Sequence, residues 1–405
     1  MATHPVPAEA PAWRTALGRM PGGVWALGFT SMFMDMSSEL VHSLLPVYMS
    51  TVLGTSMLTI GIVEGIAEAT ASITKVFSGV LSDHWNKRKS LVVFGYGLSA
   101  FTKPVFPLAS SIGWVAGARF TDRVGKGIRG APRDALIADI TPAEIRGAAY
   151  GLRQAMDSVG AVLGPVLAIG AMLLLAGRIQ NVLWVATVPG LIAVALLVFG
   201  VQEPRQVGGG IAKPIRLADV KRLDRAYWLI VALGAVFTLA RFSEAFLILR
   251  GQQAGLRLEY LPAVLIVMNV VYTAGAYPAG VASDRMSHTN LLLSGAAVLI
   301  AAQLILATAA SATPVLLGAA LWGLHLALTQ GLFSKLVADY APATLRGTAF
   351  GVFNLISGVA LLAGSVIAGV LWSAFGPSAT FYAGAAFAAA TAIGMGVYST
   401  IWRRA

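Results

Sequence analysis

Residues Ala138–Gly151 read ADITPAEIRGAAYG, and Ala338–Gly351 read ADYAPATLRGTAFG. Asp139, Pro142, Arg146, Gly147 and Gly151 of the first stretch return as Asp339, Pro342, Arg346, Gly347 and Gly351 of the second. A second echo pairs Gly79-Val-Leu-Ser-Asp83 with Gly280-Val-Ala-Ser-Asp284, also about 200 residues apart. Self-similarity at one long period marks a duplicated architecture. The chain therefore reads as two like halves.

What each half contains follows from hydropathy. The 405 residues are 57% hydrophobic and only 12% charged, about half the charged fraction of a soluble domain. Apolar runs of about 20 residues recur throughout, each long enough to cross the hydrocarbon core as a helix. Twelve spans are expected, at about 24–50, 57–81, 90–110, 112–138, 143–176, 179–201, 227–249, 260–282, 289–310, 313–338, 343–373 and 378–401. The expected fold is an all-α membrane protein with twelve transmembrane helices in two pseudo-symmetric six-helix halves. Residues 1–202 and 226–405 form the halves, and 203–225, with Gly208-Gly-Gly210, form a linker. The first span is too long for a signal peptide and reads as an uncleaved helix.

The formal charge of +11 is distributed by side. Arg14, Arg19, Lys87, Arg88, Lys89, the basic residues of the linker, Arg403 and Arg404 fall on one side, against Arg178, Arg250 and Arg257 on the other. That asymmetry puts both termini in the cytoplasm, in a multi-pass protein of the cytoplasmic (inner) membrane of a prokaryote. With no basic soluble domain, a nucleic-acid partner is not expected. Cysteine is absent, which removes disulfides and thiolate metal sites.

Gly79-Val-Leu-Ser-Asp83-His-Trp-Asn-Lys87-Arg88-Lys89 resembles the signature loop between helices 2 and 3 of the major facilitator superfamily, G-x-L-x-D-R-x-G-R-K-K, with His84 and Asn86 departing from it. Gly151, Gly160, Gly164 and Pro165 are similar to the G-x8-G-x3-G-P motif of the antiporters in that family, without its terminal glycine pair. The resemblance covers essentially the whole chain and implies a transporter, not an enzyme, whose two halves rock about a central site. It also implies a gate built from Gly79, Asp83, Lys87, Arg88, Asp139 and Arg146, echoed by Gly280, Asp284, Asp339 and Arg346. Physically, a carboxylate such as Asp83 at a helix end can meet the positive dipole of a neighbouring N-terminus. The span-5 glycines permit close helix approach, and Pro165 favours a bend.

Charges inside the spans locate the chemistry. In span 1, Asp35, Glu39 and His42 share one helical face; in span 2, Glu64, Glu68 and Lys75 do the same. Each charge at the bilayer centre costs about 2.5–3.5 kcal/mol on insertion scales, so these stripes are expected to face a hydrated cavity. Span 4 carries Arg119, Asp122, Arg123, Lys126, Arg129, Arg133 and Asp134, and span 5 adds Arg153 and Asp157. Arg119 aligns with the basic residue of the family's helix-4 motif, R-x-x-Q-G, whose Gln and Gly are here Asp122 and Arg123. The second half has fewer such groups, Arg241 and Glu244 in span 7 and His325 in span 10.

Asp35, Glu39, Glu64 and Glu68 are the candidates for proton coupling, because burial and neighbouring cations tune when a carboxylate gives up its proton. The residue pattern does not rank them. Candidate substrate contacts are His42, Arg119, Asp122, Lys126, Arg129, Arg133, Asp157, Arg241 and Glu244. Asp35, Glu39 and His42, beside Met32 and Met36, could instead ligate nickel, cobalt or ferrous iron. Met34-Asp-Met-Ser-Ser-Glu39 and Asp122–Asp134 are similar to a branch of the superfamily that includes nickel-resistance exporters, although no histidine-rich tail occurs. Arg129 and Arg133 suit a carboxylate or phosphate by paired hydrogen bonds, hence an organic anion or drug.

The expected function is proton-coupled efflux of a metal ion or small organic compound by a monomer in the bilayer, with no cofactor. The alternatives are an organic-anion or drug exporter or uptake carrier that uses the span-4 arginines, and a non-transporting membrane receptor. Gly125-Lys-Gly-Ile-Arg-Gly130 matches G-x-G-x-x-G but follows no strand, so it is not a dinucleotide site. No P-loop occurs.

Overall fold

The structure, a computed structural model, describes residues 17–85, 87–203, 220, 222–329, 331–342 and 345–402, with 79–81, 83–85, 283–285, 334 and 398–402 in their backbone only. Most of the expected linker, along with Arg14, Arg403 and Arg404, lies outside the described residues.

The membrane-crossing elements among the described residues run in the order α1 (Gly22–Val47), α2 (Met57–Trp85), α3 (Arg88–Leu108), α4 (Ile112–Ile140), α5 (Arg146–Leu174) and α6 (Ile179–Gly200). The second six are α7 (Arg225–Gln253), α8 (Ala263–Arg285), α9 (His288–Thr308), α10 (Ala312–Thr329, resuming as Leu332–Tyr340), α11 (Arg346–Phe375) and α12 (Pro377–Trp402). Ten of these are long and apolar enough to span a bilayer by composition alone. The other two, α1 and α4, are the charged helices singled out above. The bundle is inverted relative to a soluble protein: Phe101, Trp114, Phe199 and Phe375 stand exposed outside, while Arg119, Asp122, Lys103 and Glu64 are buried. An apolar exterior needs no water when lipid is the solvent.

Several expected spans differ in detail; span 3 breaks between Thr102 and Val105 and span 6 at Ala186. α1 ends in a π-helical turn, Tyr48–Val52. Span 7, expected to be continuous, is interrupted between Ala240 and Ala245. Span 10 restarts at Gly331, whose φ of +78° is a left-handed conformation suited to glycine.

Within the first six, α1 packs on α5 and α6, and α4 packs on α2 and α3; within the second six, α7 packs on α11 and α12, and α10 on α8 and α9. The two groups meet chiefly through α2 against α11 and α5 against α8. The α2–α11 seam is made of small residues, as membrane helix contacts are when dispersion must drive them. A Cβ on Gly61 would collide with the Ser365 carbonyl, one on Gly65 with Leu362, and one on Gly369 with the Met57 carbonyl. Asn269 donates to the Ala161 carbonyl at 3.1 Å across the α5–α8 seam.

All these contacts lie in the parts of the helices away from the chain termini. Near the termini, the ties described run within one group: Arg88 to Asp139 at 2.5 Å, Tyr150 Oη to the Asp134 carbonyl at 2.9 Å, and Tyr227 Oη to the Ala349 carbonyl at 2.9 Å. Among the described residues, the two groups are therefore joined on the far side, and the hydrogen bonds and ion pairs on the side that carries the termini run within each group.

Candidate functional site

Beneath the far-side seal lie two adjoining cavities of about 440 and 470 Å³, which share Glu68, Ser72 and Lys126. The first is bounded by Glu39, His42 and Arg123 on one side and by Phe237, Arg241, Glu244 and Trp322 on the other. The second is bounded by Asp35, Arg129, Arg133 and Asp157 and, across from them, by Asn269 and Tyr272. Lys75, Gln154 and Thr273 line it and are exposed, so it opens toward the termini. Both groups of six contribute to each cavity.

The charges expected to share one hydrated stripe separate into paired and unpaired sets. Arg119 donates to Glu64 Oε2 at 2.7 Å, and both side chains are at most 1% exposed. Arg123 pairs with Glu68 at 2.9 Å. Lys103, on α3, reaches Asp122 at 3.0 Å and Ser38 Oγ at 3.0 Å inside the protein. Arg129 donates to Ser99 Oγ at 2.7 Å and lies over the Tyr96 ring at 4.4 Å. Arg133 donates to Ser31 Oγ at 3.0 Å, and Arg153 pairs with Asp157 at 2.5 Å. Two expected substrate contacts, Arg119 and Asp122, line neither cavity; each is enclosed with its partner and holds helices together.

Asp35, Lys126, Arg241 and Glu244 form the other set. Each faces a cavity, and none makes an ion pair or side-chain hydrogen bond with a described residue. The cavities together present seven Lys or Arg side chains against five carboxylates.

The expected metal set does not assemble. Among the described residues no three His, Asp or Glu side chains form a group fit to hold a metal ion. Glu39 and His42 do pair, at 3.4 Å, but Asp35 faces the other cavity. Seven residues of helix turn the side chains at its ends to one face, yet they stand about 10 Å apart along the axis, too far for one ion.

The glycines of α5 set the position of α1. A Cβ on Gly160 would collide with the Met32 carbonyl, and one on Gly164 would stand 2.6 Å from the Met36 carbonyl. Asp35 lies between these two crossings in sequence. Gly151 has open space around its Cα, and Pro165 is buried within α5. Of the expected gate, Arg88 and Asp139 pair as described, and Arg146 Nε donates to the Ala138 and Thr141 carbonyls at 3.1 and 3.2 Å. Lys87 precedes α3 and is exposed, as are Gly280, Asp339 and Arg346. Gly79 and the side chains of Asp83 and Asp284 lie outside the described detail.

The interruption of α7 places Arg241 and Glu244. Irregular backbone at membrane depth is tolerated where protein or a hydrated cavity satisfies it. Gln303 Nε2 donates to the Ala240 carbonyl at 2.8 Å, and Ser365 Oγ accepts from Ser243 N–H at 3.1 Å. Gln303, fully buried, thus supports the break from behind.

Sequence reasoning missed Lys103, whose signal was a lone lysine in an otherwise apolar span. It also read Arg250 as a loop residue. Arg250 is buried and caps α9, donating to the carbonyls of Leu306, Ala307 and Ala309 at 2.9, 3.2 and 2.7 Å. The aromatic lining by Phe237, Phe242, Trp322, Phe333 and Phe353 had no distinct sequence signal among so many apolar residues.

The family model described as Major Facilitator Superfamily matches residues 27–364 and 252–404. An uncharacterized MFS-type transporter of Methanocaldococcus jannaschii is 34% identical over 373 residues, covering 90% of this chain and 92% of its own. The inner membrane transport protein YajR of Escherichia coli is 23% identical over 389 residues, covering 90% and 80%. Among solved structures, a POT family transporter in complex with 5-aminolevulinic acid superposes with a TM-score of 0.78 at 11% identity, over 94% of this chain and 96% of that one. At that identity the likeness concerns the fold.

Proposed function

The chain belongs to the major facilitator superfamily of membrane transporters, and we propose that it is a proton-coupled exporter of a small organic solute, working by alternating access through the two cavities. The observation that carries this reading is Asp35. It is the one of the four coupling candidates that faces a cavity without an ion-pair or hydrogen-bond partner among the described residues; Glu39, Glu64 and Glu68 are held by His42, Arg119 and Arg123. A carboxylate in that position can take up and release a proton without first breaking a buried ion pair. A solute that competes with the proton for the same space makes the exchange obligatory, which is antiport. The close crossing of α1 on Gly160 and Gly164 of α5 supports it, because movement of α5 would carry directly to the backbone beside Asp35.

The basic side that bears Arg19, Lys87, Arg88 and Lys89 is the cytoplasmic side under the positive-inside rule. The state described is then inward-open, the state in which an exporter loads. The chain works as a monomer in the inner membrane, because one chain supplies both walls of the cavity.

Inverted membrane vesicles carrying an imposed acid-inside gradient test this. Organic cations and anions, and separately nickel, cobalt and ferrous iron, are added while a pH-sensitive dye reports the gradient. Discharge by an organic solute, absent in vesicles lacking the protein, is the expected result. Discharge by the metals alone would overturn the organic-solute reading.

A further inference from the structure

The first cavity has two unlike walls. The wall from α1, α2 and α4 is charged; the wall from α7, α10 and α11 carries five aromatic rings among hydroxyl side chains, with Arg241 and Glu244 beside them. On the aromatic wall Phe237 and Phe333 lie 5.5 Å apart, Phe333 and Phe353 stack at 6.3 Å, and Phe242 meets Trp322 at 5.7 Å. These rings are held by one another, so the surface is formed before any solute arrives.

The charged wall is mostly self-neutralised. Glu39 pairs with His42, which carries charge only when protonated, and Glu68 with Arg123, whereas Lys126 makes no ion pair with a described residue. Arg241 faces the same cavity from the break in α7. Among the described residues it makes no ion pair, even with Glu244 three residues away. An unpaired guanidinium inside a membrane bundle is costly and is kept where water or a ligand completes it. Among the described residues, Lys126, Arg241 and Glu244 therefore face this space without an ion-pair partner, beside the rings that help to bound it.

Resting on the transporter reading, we propose that the solute is an amphipathic organic anion. Its carboxylate is held between Lys126 and Arg241, and its flat apolar body lies on the aromatic wall of α7, α10 and α11. The guanidinium offers a planar fork to a carboxylate, whereas Lys126 supplies a point charge. A volume of about 440 Å³ lies within the range of cavities that enclose drug-sized ligands. Gln303, by holding the Ala240 carbonyl, is the positioning residue that keeps Arg241 aimed inward.

Binding decides this without any flux. The purified full-length protein in detergent is titrated calorimetrically with naphthylacetate, naphthylethylammonium, naphthylethanol, naphthylalanine and acetate, with empty micelles subtracted. Naphthylacetate is expected to bind at least about tenfold more tightly than each of the others, the value of one good charge-assisted contact. Arg241→Gln and Lys126→Gln should each weaken naphthylacetate about tenfold or more and leave naphthylethanol unchanged, with Arg241→Lys intermediate. If a variant does not fold, the wild-type ligand series decides alone.

Equal or tighter binding of the ammonium compound overturns the proposal, and so does tighter binding of naphthylalanine, which would assign Glu244 to an ammonium group. Failure of the whole series to bind overturns it as well. If naphthylacetate binds but no solute discharges a proton gradient, the site stands and the coupled-export reading fails. Discharge by a solute outside this class, with no binding of naphthylacetate, refutes the site and leaves export standing.

Discussion

Replacing Glu64 by Met tests whether the buried pairs of α2 and α4 serve packing and not coupling. Glu64 is fully buried and accepts at 2.7 Å from Arg119, which is 1% exposed. Removing one partner of such a pair leaves the other charge buried and uncompensated, at a cost of about 3–5 kcal/mol. Glu68 Oε1 stands 3.9 Å from the same guanidinium and offers partial relief, although it is already committed to Arg123 at 2.9 Å. The loss should therefore fall near the lower end, about 3 kcal/mol. Arg119→Met added to Glu64→Met removes both charges while keeping similar volume, and should recover most of that loss, because apolar replacement of a buried pair is often close to neutral. Reversible unfolding in mixed micelles of rising denaturing-detergent content measures all three proteins. Asp35→Asn serves as the comparison, since it breaks no pair. The reasoning is refuted if Glu64→Met costs no more than Asp35→Asn, or if the double variant is less stable than the single one.

Gly61→Val should open the far-side seal, because its Cβ has nowhere to go beside the Ser365 carbonyl. In this cysteine-free chain, Ser72→Cys reports from the cavity: an impermeant maleimide should reach it from the termini side in the parent and increasingly from the far side with Gly61→Val. Unchanged sidedness would mean that the α2–α11 seam is not the gate. Gln303→Leu leaves the Ala240 carbonyl unpaired at the α7 break, and should lower stability by about 1–3 kcal/mol. The same change should weaken naphthylacetate binding, whereas a loss of stability with wild-type affinity would detach Gln303 from the placement of Arg241.

Ten of the twelve crossings were legible as long apolar runs, and the repeat of Ala138–Gly151 at Ala338–Gly351 is a signal that no local fluctuation imitates. The break in α7 was not legible. Nothing between Ala240 and Ala245 is a proline or glycine; the interruption is supported from two other helices by Gln303 and Ser365. The stripe of acids on α1 and α2 correctly marked polar helices, but helical arithmetic places side chains on a face, not opposite a partner. Which acids are consumed depends on how α4 is rotated against α2, and that brings Arg119 and Arg123 to Glu64 and Glu68, while Asp35 has no ion-pair partner among the described residues. For the same reason Asp35, Glu39 and His42 looked like a ligand set along one helix and proved to face two cavities.

Solute-driven proton movement in proteoliposomes, with wild-type protein and Asp35→Asn side by side, bears most directly on the account. The solute used is the one that discharges the gradient in vesicles, supplied with a radiolabel so that its own movement is read as well. Wild-type protein should move protons against the solute, and Asp35→Asn should still exchange labelled solute across the membrane while moving no protons. Proton movement by Asp35→Asn at the wild-type ratio to solute would contradict it.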